Sequence, residues 1–362
     1  MTYCILLIEP YYGGSHQAWV DGYTRHSQHL IEKLTMPAQF WKWRMQGGAV
    51  TMARQFQQLA ELPDLIIASD MMDLSLFRAI TRTEIPIALY FHENQLTYPQ
   101  NQRQHHGWQY GFINYASALS ADVLYFNSDF HLNSFFDELP RMLKHFGDYN
   151  ELETIDLLRA KAQVLTLGLD LERFQAYRPS NPQPATRPLI LWNHRWESDK
   201  NPLAFFKALH RLADDGFDFD LILAGENFRS HPTEFDKARE RFGDRIRHYG
   251  FITSFADYAQ FLWQTDYVIS TAYQDFFGIA VAEAIYCGCI PILANRLNYP
   301  DLLPDDYHSA CLFREGALYG HLRQHLLGNH TVDTSRLQAH IAQYDWSQVA
   351  PLYDATFARR II

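Results

Sequence analysis

Short apolar runs of strand length alternate with helix-length segments along almost the whole chain. That alternation leaves few folds open. A strand buried on both faces reads as a continuous apolar run, and consecutive parallel strands need a crossover of about a dozen residues, usually a helix. In the first half the runs are 4–8, 64–69, 87–91, 123–127 and 163–167, with helices expected at 15–34, 52–59, 74–80, 110–119 and 128–139. Residues 178–188 then place four prolines in eleven positions, which suits a linker. A second series follows, with strands at 189–193, 220–224, 246–249, 267–270 and 290–294 and helices at 202–213, 233–242 and 279–286. From Ala317 onward the tail reads as largely helical. The fold class is therefore α/β, with two Rossmann-like doubly wound domains facing a central cleft. The expected division is a first domain at 1–177, a linker at 178–188, a second domain at 189–345, and a C-terminal helix at 346–362 that can pack back on the first domain. A length of 362 residues agrees with two cores, since one core rarely grows past roughly 250–300.

Several classes are excluded. No apolar run nears the roughly 20 residues needed to cross a bilayer. The start, Met1 to Glu9, has no basic segment and no cleavage site, so it reads as a buried strand and not a signal peptide. The net charge is −10, split as 12 Lys+Arg against 18 Asp+Glu in residues 1–170 and 19 against 23 in the rest. Neither half is basic, which argues against broad attachment to nucleic acid or anionic lipid but leaves room for a local basic face. Cys4, Cys287, Cys289 and Cys311 read as reduced core thiols of a cytoplasmic protein; Cys287-Gly288-Cys289 is too tight for a disulfide or an ordinary zinc set. His105-His106 points its two rings apart, so no metal is expected.

The most telling segment is Asp275-Phe276-Phe277-Gly278-Ile279-Ala280-Val281-Ala282-Glu283. Phe277 and Gly278 end a loop, and a helix opens at about Ile279. Its first amides lack partners within the helix and carry partial positive charge, so they suit a phosphate. Glu283, a little over one turn in, can accept hydrogen bonds from a ribose diol. These features describe a sugar-nucleotide site.

Other strand ends add to it. After the strand at 189–193, Arg195 and Lys200 lie in a loop where two cations can hold a diphosphate and neutralise a departing nucleotide. Gly225 follows the strand at 220–224 and can let a base approach, or simply make a tight turn. Gly13 and Gly14 follow the first strand, with Ser15 and His16 beyond them, and can bring backbone amides near phosphate or sugar. His92, Glu93, Asn94 and Gln95 follow the strand at 87–91; four polar groups there are costly unless they meet a ligand or one another. Arg103 and His106 sit in a run rich in cations, histidines and aromatics that can stack on a base.

The Arg195/Lys200 pair, the Asp275-x7-Glu283 element and the two α/β halves resemble retaining glycosyltransferases of the family-four type, which have the glycosyltransferase B fold. That family's usual element is Glu-x7-Glu, so Asp275 is one methylene short. The resemblance implies that Arg195, Lys200, His92 and Asp275 serve catalysis. It implies that Gly14 and Glu283 bind the donor, and Gly13, Gly225, Phe277, Gly278 and Ile279 are expected to do so from their places at strand ends and at the helix start. A narrower likeness rests on Ile8-Glu9-Pro10-Tyr11-Tyr12-Gly13-Gly14-Ser15-His16, on Phe91-His92-Glu93-Asn94-Gln95-Leu96-Thr97-Tyr98-Pro99 and on Tyr286-Cys287-Gly288-Cys289-Ile290-Pro291. These strings are similar to the tRNA-queuosine mannosyltransferase family. That implies GDP-mannose as co-substrate with no other cofactor, and the queuosine of a tRNA anticodon loop as acceptor, met by His16, Glu93, Asn94, Gln95, Arg103 and His106. No membrane insertion and no obligate protein partner are expected. A local tRNA face would then draw on Arg103 to His106 with Arg141, Lys144 and His145. A related transferase with a saccharide or lipid acceptor, an epimerase-type enzyme, and a silent sugar-nucleotide-binding protein stay open as alternatives.

Overall fold

The computed structural model describes residues 2–98, 108–180, 186–226 and 231–361, which fall into two compact units. Unit 1 holds Met1–Asp170 with Tyr344–Ile362, and unit 2 holds Leu171–Gln343. The chain thus passes into unit 2 ahead of the proline-rich stretch, whose described residues belong to unit 2.

Unit 1 contains six parallel strands: β1 (Cys4–Tyr12), β2 (Leu30–Pro37), β3 (Leu65–Ser69), β4 (Ile87–Phe91), β5 (Val123–Phe126) and β6 (Ala162–Val164). Their order is β2-β1-β3-β4-β5-β6. Residues of β3, β4 and β5 are buried throughout, as continuous apolar runs between helical layers should be. Unit 2 repeats the plan with β7 (Leu189–Asn193), β8 (Asp220–Ala224), β9 (Ile246–Gly250), β10 (Tyr267–Ser270), β11 (Ile290–Ala294) and β12 (Leu312–Phe313), ordered β12-β11-β10-β7-β8-β9. Each sheet reverses its winding once, between β1 and β3 in unit 1 and between β7 and β10 in unit 2. Ligands of such sheets bind at the carboxyl ends of the strands, where the order reverses.

One expectation is corrected outright. The helix read at 15–34 is a helix only over Gly14–His26, and Leu30–Pro37 is β2. Leu30, Ile31 and Leu34 are spaced as on a helix face, but an aspartate from far along the chain stops the helix. Asp354 accepts from Ser27 Oγ at 2.6 Å and from the Gln28 amide at 2.8 Å, which turns the chain into an extended edge strand. The helix expected at 52–59 runs instead from Trp41 to Phe56, and the strand expected at 163–167 is the three residues of β6. Cys4 is only half-buried, because it opens the first strand.

The last helix, Trp346–Ile361, belongs to unit 1. Tyr23 donates to Asp354 at 2.8 Å, Trp19 Nε1 donates to the Tyr353 hydroxyl at 3.2 Å, and Tyr353 donates to the Thr166 carbonyl at 3.0 Å. Trp346 packs against Gly22 and Gly168, where any Cβ would collide with its ring. Among the described residues no helix is long and apolar enough to cross a membrane.

Candidate functional site

In unit 2 the loops after β7 and β10 meet at the reversal point. Thr271 Oγ1 donates to the Lys200 and Asn201 carbonyls at 2.9 and 2.8 Å, and the Tyr273 amide donates to the Asp199 carbonyl at 2.7 Å. These bonds hold Lys200 in place. It is buried, donates its ammonium to the Gln274 carbonyl and stands 3.6 Å from Asp199 Oδ2. Arg195 keeps nearly half its side chain exposed and pairs with Glu197 at 3.2 Å. His194 is buried among these groups. Desolvation, then the charge of Lys200, push its imidazole down to about 4; Asp275 pulls the other way and Arg195 adds to the push. The two cations and Asp275 are therefore electrostatic neighbours, with a neutral imidazole among them. Among the described residues, Asn193 Oδ1, His194 Nε2 and Gln274 Nε2 are buried without a hydrogen-bond partner. Orphaned polar atoms at strand ends are what a polar ligand would satisfy.

The helix expected to open at about Ile279 spans Ile279–Tyr286. Gly278 precedes it at φ 98°, a backbone state that side chains rarely adopt, and a Cβ there would press Leu302 and Tyr299 at 3.0 and 3.2 Å. The turn is pinned from two sides. Asn298 Nδ2 donates to the Phe277 carbonyl at 2.9 Å, and Asn193 Nδ2 donates to the Ala280 carbonyl at 2.7 Å. Asp275 lies in the preceding loop and accepts from the buried Tyr299 hydroxyl at 3.3 Å. Glu283 accepts from Tyr258 at 2.8 Å and stands 3.6 Å from the guanidinium of Arg173, which stacks over Phe255 at 4.0 Å. Arg173 and Tyr258 escaped the sequence reading, for neither stands in a motif. Gly225 has a structural explanation: a Cβ there would collide with the His194 carbonyl, so the glycine brings the loops after β7 and β8 together.

Unit 1 gathers a second polar centre at its own reversal point. Glu9, on β1, is fully buried; Oε1 accepts from the Tyr11 amide at 2.8 Å and Oε2 contacts His16 Nδ1 at 2.9 Å. Burial opposes a charge on His16, but Glu9, by charge and hydrogen bond, outweighs it with help from Asp70 and Glu93, and the imidazole is raised to about 9. His92 lies 4.0 Å from Glu9 Oε2, its ring centre 4.3 Å from that of His16. Burial, then the His16 charge, hold His92 well below the usual imidazole range, so it is neutral. Glu9, His16 and His92 bring possible ligand atoms within 4.8 Å of one another, a spacing a transition metal can accept. A protonated His16 disfavours that at neutral pH, since a metal needs the neutral ring.

The polar string after β4 largely meets itself. Asn94 Oδ1 accepts from the Leu96 and Thr97 amides at 3.1 and 3.0 Å, and Gln95 Nε2 donates to Glu93 at 2.7 Å. Gly14 starts the helix Gly14–His26 at φ 54° with open space above it, while Gly13 makes room for Ala38. Arg103 and His106 lie outside the described residues. Arg141, Lys144 and His145 border a hollow of about 600 Å³ with Trp108, Asp137 and Pro140. Asp70, which follows β3, was missed. Its signal was a single acid directly after an apolar run.

Residues 4–169 match the family model described as tRNA-queuosine alpha-mannosyltransferase N-terminal, and residues 173–320 match glycosyl transferases group 1. A tRNA-queuosine alpha-mannosyltransferase from Drosophila melanogaster is 34% identical over 315 residues, covering 83% of this chain and 82% of that protein. The chain belongs to the tRNA-queuosine alpha-mannosyltransferase family. It is a glycosyltransferase with the glycosyltransferase B fold. The fold recurs in a sucrose-phosphate synthase from Thermosynechococcus elongatus, at TM-score 0.71 and 14% identity, covering 99% of this chain and 100% of that one. It recurs in an Anabaena protein, HepE, solved in complex with UDP, at TM-score 0.67 and 17% identity, covering 99% and 100%.

Proposed function

We propose that this glycosyltransferase moves mannose from GDP-mannose to the queuosine of a tRNA anticodon loop, with retention at the anomeric carbon. The observation that carries the reading is the 34% identity to the Drosophila melanogaster protein, which extends across both units. Donor groups would lie on unit 2. Arg195, Lys200 and the amides opening the helix Ile279–Tyr286 would bind the diphosphate, and Glu283 the ribose. Asp275 and the neutral His92 are assigned to the sugar, and Gly13 and Gly14 to its approach. The acceptor falls to His16, Glu93, Asn94, Gln95, Arg103 and His106. A tRNA substrate puts the reaction in the cytoplasm, and the sugar nucleotide is the sole small co-substrate required.

In the transfer step the bond from the anomeric carbon to the β-phosphate oxygen breaks and its electron pair leaves with GDP. The acceptor hydroxyl oxygen bonds to that carbon on the same face, and its proton passes to a phosphate oxygen. Arg195 and Lys200 stabilise the charge that grows on the diphosphate. The chain contributes positioning and charge, with no covalent intermediate. Asp275 and Glu283 are thus not an acid/base pair of the glycosidase kind.

The test incubates purified protein with GDP-mannose and queuosine-bearing tRNA and follows tRNA nucleosides by mass spectrometry. Mannosyl-queuosine supports the reading. Donor turnover without acceptor would favour a hydrolase or epimerase, and no turnover with any sugar nucleotide would leave a binding protein.

A further inference from the structure

The polar centre of unit 1 gathers more carboxyl groups than cations. Glu9, in the last half of β1, and Asp70, directly after β3, lie on the two strands that flank the reversal point and are both fully buried, and Glu93 follows the next strand over. Glu9, Asp70 and Glu93 all act electrostatically on His16, so the four groups share one neighbourhood. His16 answers Glu9 directly. Asp70 is different. Its Oδ1 accepts from the His92 amide at 2.8 Å, but its Oδ2 is buried with no hydrogen-bond partner among the described residues. The Ser69 hydroxyl beside it is buried and, among those residues, equally unmatched. A carboxylate oxygen without a donor in a buried site is expensive, and more so next to other acids. Burial, with Glu93 and Glu9 adding to it and His16 opposing, raises the Asp70 carboxyl well above its usual range, as expected where His16 alone does not balance the acids and a second cation beside Asp70 would be favoured.

The acceptor in the proposed reaction has such a cation. Queuosine carries its cyclopentene diol on a secondary amine, which is protonated near neutral pH and offers two N–H donors. We propose that Asp70, with Glu93 beside it, binds the protonated amine of the acceptor and thereby sets the diol beside His16 and His92. This rests on the queuosine reading. It assigns Asp70 a binding role that no motif signalled. It also gives the acidic balance of unit 1 a use, since the group recognised would be a cation on the nucleobase and not only the phosphate backbone.

The test compares two competitive inhibitors of tRNA mannosylation: free queuosine nucleoside, and an analogue with a methylene in place of the amine nitrogen. The wild-type protein should bind queuosine at least about tenfold more tightly than the carbon analogue, the scale of a charge-assisted hydrogen bond of ~1.5 kcal/mol or more. In Asp70→Asn that preference should shrink to near unity while the KM for GDP-mannose stays within about twofold. Glu93→Gln should reduce the preference partially. Equal inhibition of the wild type by both compounds overturns the inference without any variant, as does an undiminished preference in folded Asp70→Asn. A wild type that never mannosylates queuosine-tRNA sinks the functional reading itself, and this inference with it.

Discussion

The carboxylate of Glu9 and the imidazole of His16 form a buried pair, 2.9 Å apart, at the carboxyl end of the first strand of unit 1. Their pairing has a pH signature. His16 is raised to about 9 from an ordinary 6.5. The folded chain therefore holds a proton that the unfolded chain releases. The stability this contributes is fully present below about pH 6.5 and is lost as pH rises through about 9. We expect the unfolding free energy to fall by on the order of 2 kcal/mol between pH 6.5 and 9.5 from this group. Denaturant melts across that range check it, and His16→Gln should flatten the slope.

Arg195 is expected to act on turnover and little on stability. Its guanidinium is half-exposed and its protein partner Glu197 is a neighbour in sequence. Arg195→Ala should change stability by less than about 0.5 kcal/mol. It should lower kcat roughly 100-fold through lost leaving-group stabilisation. GDP release assays would measure this, and near-normal turnover would remove the assigned role.

Tyr258 donates to Glu283 at 2.8 Å and helps fix the carboxylate assigned to the ribose. Tyr258→Phe keeps the ring and deletes the bond. The expected result is a KM for GDP-mannose raised about 5- to 10-fold, the equivalent of about 1 kcal/mol, with kcat little changed. A fall in kcat with an unchanged KM would contradict the assignment.

Gly22 faces the indole of Trp346, the first residue of the last helix. Gly22→Ala should destabilise the chain by about 1–3 kcal/mol through overpacking. Trp346→Leu in the same chain should recover part of that loss, as coupled neighbours do. Thermal melts of the single and double variants give the answer.

At the acid end, His194 should contribute to the stability of unit 2. It is neutral when folded and held down to about 4, so the unfolded chain binds its proton first. Stability from this group is present above about pH 6.5 and is lost as pH falls toward 4. A His194→Gln chain should show a shallower acid slope in the same melts.

Much of this was legible locally. Buried parallel strands announce themselves as apolar runs, so β4, β7, β8, β10 and β11 match the expected spans. Gly278 and the run behind it likewise mark the helix Ile279–Tyr286 to the residue. These signals depend on side chains only a few positions apart. The strand Leu30–Pro37 was not legible, because what stops the preceding helix is Asp354, 327 positions beyond Ser27. Asp70, Arg173 and Tyr258 were not legible either. Their meaning lies in what stands beside them, an unmatched oxygen at one and the Glu283 carboxylate at the other two. The alternation, the phosphate-ready helix start and the strand-end polar groups follow from residue order alone, since backbone geometry and hydrophobic period are short-range properties. Which charges became neighbours, and which polar atoms found no partner among the described residues, depended on the packed fold. Burial and Coulomb interactions act through space, between residues that packing brings together from distant parts of the chain.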